Sequence, residues 1–304
     1  MTIKIGTRNS KLAMWQAEFV RDELLAAGCQ AEIVGIETKG DKVLNTSIAK
    51  IGSKGVFTEE LEEMLLDGEV DIAVHSAKDL QSDLGNHFQI IAFSEREAAH
   101  DVIVSHQKIN LTDKNLILGT SSTRRVALFK RFYPHIKTVD IRGNLQTRIR
   151  KMEEGACDAL ALAYAGVHRM GYSDLIKQEL SFQEFIPAVG QGALAIEAAN
   201  SLDPEKIKVV RSAINHESTE KLLLAERAYL KVLDGGCSIP AFGMAEPGVN
   251  HDVSMRGGIV SLDGKTLILK EISGKDPETI GSTLANEVLE AGGAEILRTI
   301  KEKL

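Results

Sequence analysis

A single order of elements recurs along this chain and limits what it can fold into. A short apolar run of strand length is followed by a polar turn, and the turn by apolar residues at helical spacing. Ile3 to Gly6, then Thr7-Arg8-Asn9-Ser10, then Leu12, Trp15, Phe19, Val20 and Leu24 make one such unit, with Ser10 placed to cap the helix and Gly28 to stop it. Ala31 to Glu37 offers a second strand, and a helix is expected from about Phe57 to Leu66. A third strand, Ile72 to Val74, ends abruptly in His75, Ser76, Lys78 and Asp79. Alternation of this kind predicts largely parallel sheets with helices on their faces. Ligands of open α/β sheets collect beyond the carboxyl ends of strands, so the polar burst after Val74 marks a candidate site.

The same order resumes near Asp101. Val102 to Val104, Leu116 to Gly119, Thr138 to Ile141 and Ala159 to Ala163 read as strands, and Thr123 to Phe132 and Asn144 to Gly155 as helices. Two similar α/β domains are therefore expected. Gly119-Thr120-Ser121-Ser122-Thr123-Arg124-Arg125 reads as a strand feeding a hydroxyl-rich helix start, where free N–H groups and the helix dipole favour an anion. Arg8 and Ser10 stand at a comparable start, where a capping turn with a solvated arginine fits as well.

From Gly119 to Lys151 nine basic residues face one acid, Asp140, in a chain whose formal charge is -7. Six of the nine are arginines, whose planar fork takes a carboxylate through two hydrogen bonds. Arg124, Arg125, Arg142 and Arg148 lie near strand–helix junctions, whereas Lys130, Arg131, Arg150 and Lys151 suit a solvated helix face. A ligand bearing several carboxylates or phosphates would explain the cluster.

Pro187 to Gly192 suits a crossover, with Gly190 and Gly192 flanking Gln191, and the apolar run after it can return as a strand into the first sheet. Two crossings would give a hinged cleft. A helix is expected over Asn215 to Leu233, ending at Asp234-Gly235-Gly236, with Cys237 next. Cys29 and Cys157 sit in apolar stretches and read as small buried hydrophobes. Two glycines leave the Cys237 sulfur approachable, so covalent use stands beside burial as a reading. The remainder, with paired strands near Ser254 to Val260 and Thr266 to Ile272 and a helix from Pro277 to Ala291, reads as a small α+β domain.

Length supports that division, since 304 residues at about 150 per domain imply two or three. Three cysteines without paired spacing suit a reducing compartment, and no metal-ligand spacing is present. The start Thr2 to Gly6 lacks a basic segment followed by an apolar core, and no run of 18 apolar residues occurs, so a cytoplasmic location away from membranes is expected. A secreted solute-binding protein would share the arginines but needs a signal and no cysteine. Nucleic-acid binding would use the basic cluster, but only 5% of residues are aromatic, few for a surface on which bases stack.

Thr7 to Ser10, Lys39-Gly40-Asp41, Lys50 with Lys54-Gly55, His75-Ser76 with Lys78-Asp79, Gly119 to Arg125, Arg142-Gly143-Asn144, Pro187 to Gly192 and Gly235-Gly236-Cys237 together resemble the porphobilinogen deaminase family, from about residue 3 to about residue 245. The resemblance implies two domains like the halves of a periplasmic binding protein, at 1–95 with 193–212 and at 96–192, and a small α+β domain at 213–304. It implies a monomeric transferase that joins four porphobilinogens head to tail, releasing ammonia, on a dipyrromethane cofactor held by a thioether to Cys237. Asp79 is then the catalytic residue, steadying the cation left by ammonia loss and assisting proton transfer. Ser76, Lys78, Asp79, Thr120, Ser122, Arg124, Arg125, Arg142 and Gly143 hold the cofactor, with Ser121 contributing. Arg8, Ser10, Lys50, Lys54, Phe57, Arg148, Arg169 and Gln191 bind substrate. Lys50 and Lys54 fall in a long polar segment whose composition fits a lid or a linker. The chain departs from the family at Ala77, where Met is common, and at Leu80-Gln81, where Val-Pro is common, which bears on rigidity after Asp79.

Overall fold

The computed structural model describes residues 1–38, 58–234 and 239–302. Lys50, Lys54, Phe57 and Cys237 lie outside the described residues. The chain divides into two compact units, 1–97 with 192–221, and 98–191 with 222–304.

The first unit begins with β1 (Thr2–Arg8), α1 (Lys11–Ala26) and β2 (Gln30–Ile36), and continues with α2 (Glu59–Leu66), β3 (Ile72–Ser76) and β4 (Phe88–Phe93). β1 runs parallel to β2 and to β3, with Ile5 level with Ile72. Ile3, Ile5, Ile72 and Val74 pack with Ala17, Val20 and Leu24 of α1, while Ala73 packs on the opposite face with Leu61 and Leu65 of α2. This is the period of two in a strand meeting the period of 3.6 in a helix. Ser10 caps α1, its Oγ accepting from the Ala13 N–H at 3.3 Å.

The second unit contains β5 (Asp101–Val104), β6 (Ile117–Gly119), α3 (Thr123–Phe132), β7 (Lys137–Val139), α4 (Leu145–Glu153), β8 (Ala159–Ala163), α5 (Tyr164–Arg169) and β9 (Ile176–Glu179). α3 has the bounds its periodicity predicts, with Ser122 as its cap accepting from the Arg125 N–H at 3.4 Å.

After Gln191 the chain returns to the first unit as β10 (Leu194–Ala199), followed by α6 (Pro204–Ile214). The first sheet has the order β2-β1-β3-β10-β4 and the second β7-β6-β8-β5-β9. Each is second, first, third, crossing and fourth strand, so one topology is used twice. The sheets are mixed rather than largely parallel, because β10 runs antiparallel to β3 and β4, and β5 antiparallel to β8 and β9. A strand entering from the other half of the chain arrives in the opposite direction, which local alternation does not encode.

The expected helix over Asn215 to Leu233 is α7 (Glu217–Val232), preceded by α6. Asp203-Pro204 supplies the α6 cap and first position, a local signal that the sequence carries. β11 (Ala241–Pro247), β12 (Val253–Val260) and β13 (Leu267–Gly274) form a three-stranded antiparallel sheet, covered by α8 (Pro277–Val288). That helix passes through a π turn at Leu289–Gly293, where Gly292 has φ +111°, into α9 (Ala294–Lys301). The small C-terminal α+β domain is thus present. Tyr229 is fully buried beneath its sheet, donating to Gly258 O at 2.9 Å.

Candidate active site

In the first unit the implied residues gather at the carboxyl edge of the sheet. Arg8 ends β1, Ser10 opens α1, and β3 runs directly into a single 3-10 turn, Ala77–Asp79. Ala77 and Leu80 are buried, Lys78 is half-buried and Asp79 is exposed. Alternate burial pins the turn while leaving the carboxylate accessible. The Ala77 N–H donates to Ala193 O at 2.9 Å, and the Ser76 Oγ accepts from Gln16 Nε2 at 2.8 Å. Ser76 is therefore held by α1. His75, on the opposite face, is buried with its Nε2 3.0 Å from the Glu197 carboxylate.

In the second unit Thr120 and Ser122 follow β6, Arg142 and Gly143 follow β7, and Arg169 ends the helix after β8. These three strands are parallel, so the groups again share a carboxyl edge. Arg142 Nε donates to Asp140 at 2.8 Å, and Arg148 Nε to Gly143 O at 2.7 Å. Gly143 has φ +119°, and a Cβ there would meet the Thr147 side chain at 2.6 Å, so this corner requires glycine.

Arg124 and Arg125 are almost wholly buried. Both pair with Asp101, itself fully buried: Arg124 Nη1 lies 2.7 Å from Oδ2 and its Nη2 3.1 Å from Oδ1, while Arg125 Nη2 lies 2.8 Å from Oδ1. Arg124 also donates to Ile186 O and Arg125 to Ala161 O. Gln191 Nε2 joins the node, donating to Ala99 O at 2.7 Å and to Asp101 Oδ1 at 2.9 Å. Burial alone would raise the Asp101 carboxyl, but the two guanidiniums outweigh it and hold it well below the ordinary carboxylate range.

The expectation that these two arginines simply face a ligand is thus altered, since much of each fork is committed to Asp101. Sequence reasoning missed Asp101, whose trace is a lone acid leading the apolar run Val102 to Val104, and Glu197, a lone acid within Ala193 to Ala199. Neither pattern names a partner.

Two guanidiniums against one carboxylate leave a positive charge in excess, and the buried Nε of each arginine lacks a hydrogen-bond partner among the described residues. A buried donor left so costs about 1–3 kcal/mol, which an anion can relieve. The donor set therefore fits a cofactor that carries carboxylates, as dipyrromethane does. Among the described residues no group of three or more His, Cys, Asp or Glu could hold a metal ion, and no helix is long and apolar enough to cross a membrane.

Cationic side chains at the carboxyl edge of each sheet, in an α/β fold, suit a class of proteins that handle ligands bearing carboxylates. The chain matches the porphobilinogen deaminase, dipyromethane cofactor binding domain over residues 3–207, and the porphobilinogen deaminase C-terminal domain over 221–290. It is 57% identical to a porphobilinogen deaminase of Cytophaga hutchinsonii, covering 100% of this chain and 98% of that one. It is 54% identical to one of Desulfosudis oleivorans, covering 100% and 99%, and 42% identical to one of Pelotomaculum thermopropionicum, covering 99% and 97%. The chain belongs to the porphobilinogen deaminase family, the transferases that make hydroxymethylbilane in tetrapyrrole biosynthesis on a dipyrromethane cofactor.

Proposed function

We propose that Asp79 is the catalytic carboxylate of this hydroxymethylbilane synthase. The observation that carries the reading is the turn Ala77–Asp79, which exposes one carboxylate between buried Ala77 and Leu80 at a strand's carboxyl end. Loss of ammonia from porphobilinogen develops positive charge on the substrate, and a fixed carboxylate stabilises it without reorganising at that moment. The same group assists proton transfer at the attacking carbon and at the departing amine. Arg8, Ser10, Arg148 and Arg169 orient the substrate's acetate and propionate, Gln191 supports the site through its hydrogen bond to Asp101, and Lys50, Lys54 and Phe57 belong to the same substrate-binding set.

Cys237 carries the cofactor through a thioether. Ser76, Lys78, Thr120, Ser122, Arg124, Arg125, Arg142 and Gly143 hold it, the excess charge of the Asp101 node favouring its carboxylates. When bound, dipyrromethane supplies the pyrrole to which incoming units are joined. The division into domains at 1–95 with 193–212, 96–192 and 213–304 belongs to this reading. So do a monomer, a cytoplasmic location, and the absence of nucleic-acid and membrane partners, supported by the net charge of -7 and the scarcity of aromatics.

The test is Asp79→Ala, assayed per mole of protein carrying the cofactor. Turnover should fall by about 100-fold or more, the scale of losing a preorganised charge. A rate near that of the wild type would remove Asp79 from the chemistry.

A further inference from the structure

His75 and Glu197 are buried ionisable groups that the chemistry above does not use. Glu197 is fully buried on β10, and among the described residues its one ion-pair partner is His75 of β3, at 3.0 Å. The two strands are antiparallel neighbours, with Ala195 level with His75 and Glu197 level with Ala73, so the pair spans them diagonally on the face covered by α2. Glu62 of α2 shares that setting. Burial pushes its carboxyl up, and the charge of Glu197 pushes it further.

The rest of that face offers small groups: Ala73 of β3, and Ala195 and Ala199 of β10. On the opposite face Ile72, Val74, Leu194 and Ile196 already resist a slip by one residue, which would exchange the faces of a strand, whereas the alanines of the α2 face discriminate alignments weakly. The His75–Glu197 contact is the specific one on this face, because any other alignment would leave these two buried polar side chains away from each other. On the other face Gln16 holds Ser76, and along the β3–β10 ladder the Ala77 N–H donates to Ala193 O. Together these contacts grip β3 where it becomes the turn.

We propose that Glu197 is a positioning residue for the condensation: by pairing with His75 it locks the register of β10 against β3 and so fixes the turn that presents Lys78 and Asp79. The inference rests on the reading of Asp79 as the catalytic group. Glu197 lies on the returning strand, so completing the first sheet and setting the catalytic turn are one event.

The experiment compares Glu197→Gln, His75→Gln, their double variant and Asp79→Ala, each as protein whose covalent cofactor is verified by mass. Each single change of the pair should lower kcat about tenfold at a KM for porphobilinogen within about twofold, the pattern of misplacement rather than lost binding. The double variant should be no worse than either single one, since the pair acts as a unit. Amide exchange across Ala77 to Leu80 should quicken in all three. Wild-type kcat, multiplied losses in the double variant, or activity lost only in step with the folded fraction would overturn the proposal. Should Glu197→Gln not fold, the double variant decides, as it leaves no ionisable group of the pair buried. Full activity of Asp79→Ala would overturn the role of Asp79 instead, and the exchange rates would still report on register.

Discussion

Asp101 accepts from Arg124, Arg125 and Gln191 while wholly out of water. Replacing it with Asn keeps the shape but leaves two buried guanidiniums facing a neutral group. That should cost about 3–5 kcal/mol, measured by urea unfolding, and a loss below about 1 kcal/mol would mean that the charges are not sealed from solvent. The pH dependence has a definite sign. The folded carboxyl titrates below its unfolded value, so its contribution is complete above about pH 4 and is lost as pH falls toward the depressed folded value. Asp101→Asn should therefore flatten the loss of stability on acidification, and an unchanged acid slope would count against the pairing. Ser10 allows two roles to be separated. Its cap on α1 predicts about 1 kcal/mol lost in Ser10→Ala, whereas substrate contact predicts a raised KM as well.

At the scale of elements the crossing at Gly192 leaves no room for a side chain. Its φ is +99°, and an added Cβ would lie 2.3 Å from Glu97 O. Gly28, at the end of α1, has φ +80° with nothing within 4 Å. Gly28→Ala should cost about 1 kcal/mol, from backbone strain alone, and Gly192→Ala more than about 2 kcal/mol, since strain and collision add. Equal melting temperatures for the two variants would show that the crossing yields to the methyl group. Elements with local signals were legible: α3 begins at its hydroxyl-rich cap and ends where periodicity stops. α5 and β9 were not, because neither Tyr164–Arg169 nor Ile176–Glu179 is long enough to display a period.

For the whole molecule the prediction concerns Cys237. The denatured protein should exceed its sequence mass by two linked pyrroles, and the excess should map to the peptide containing Cys237. An unmodified protein that gains the adduct on incubation with porphobilinogen would be an apo form of the same enzyme. One that gains nothing would overturn the attachment. Sedimentation should give a single species near 33 kDa, the mass of one chain.

By itself the sequence determined the alternation of elements, the polar turns after β1, β3 and β6, the family, and the residue types that meet carboxylates. All of these are written in near neighbours, where period, capping and turn chemistry act. The tertiary structure decided what depends on residues far apart. It turned β10 and β5 antiparallel within otherwise parallel sheets, gave Arg124 and Arg125 to Asp101, and set Glu197 against His75. A buried charge finds its partner through packing and exclusion of water, and neither is visible until the chain has closed on itself.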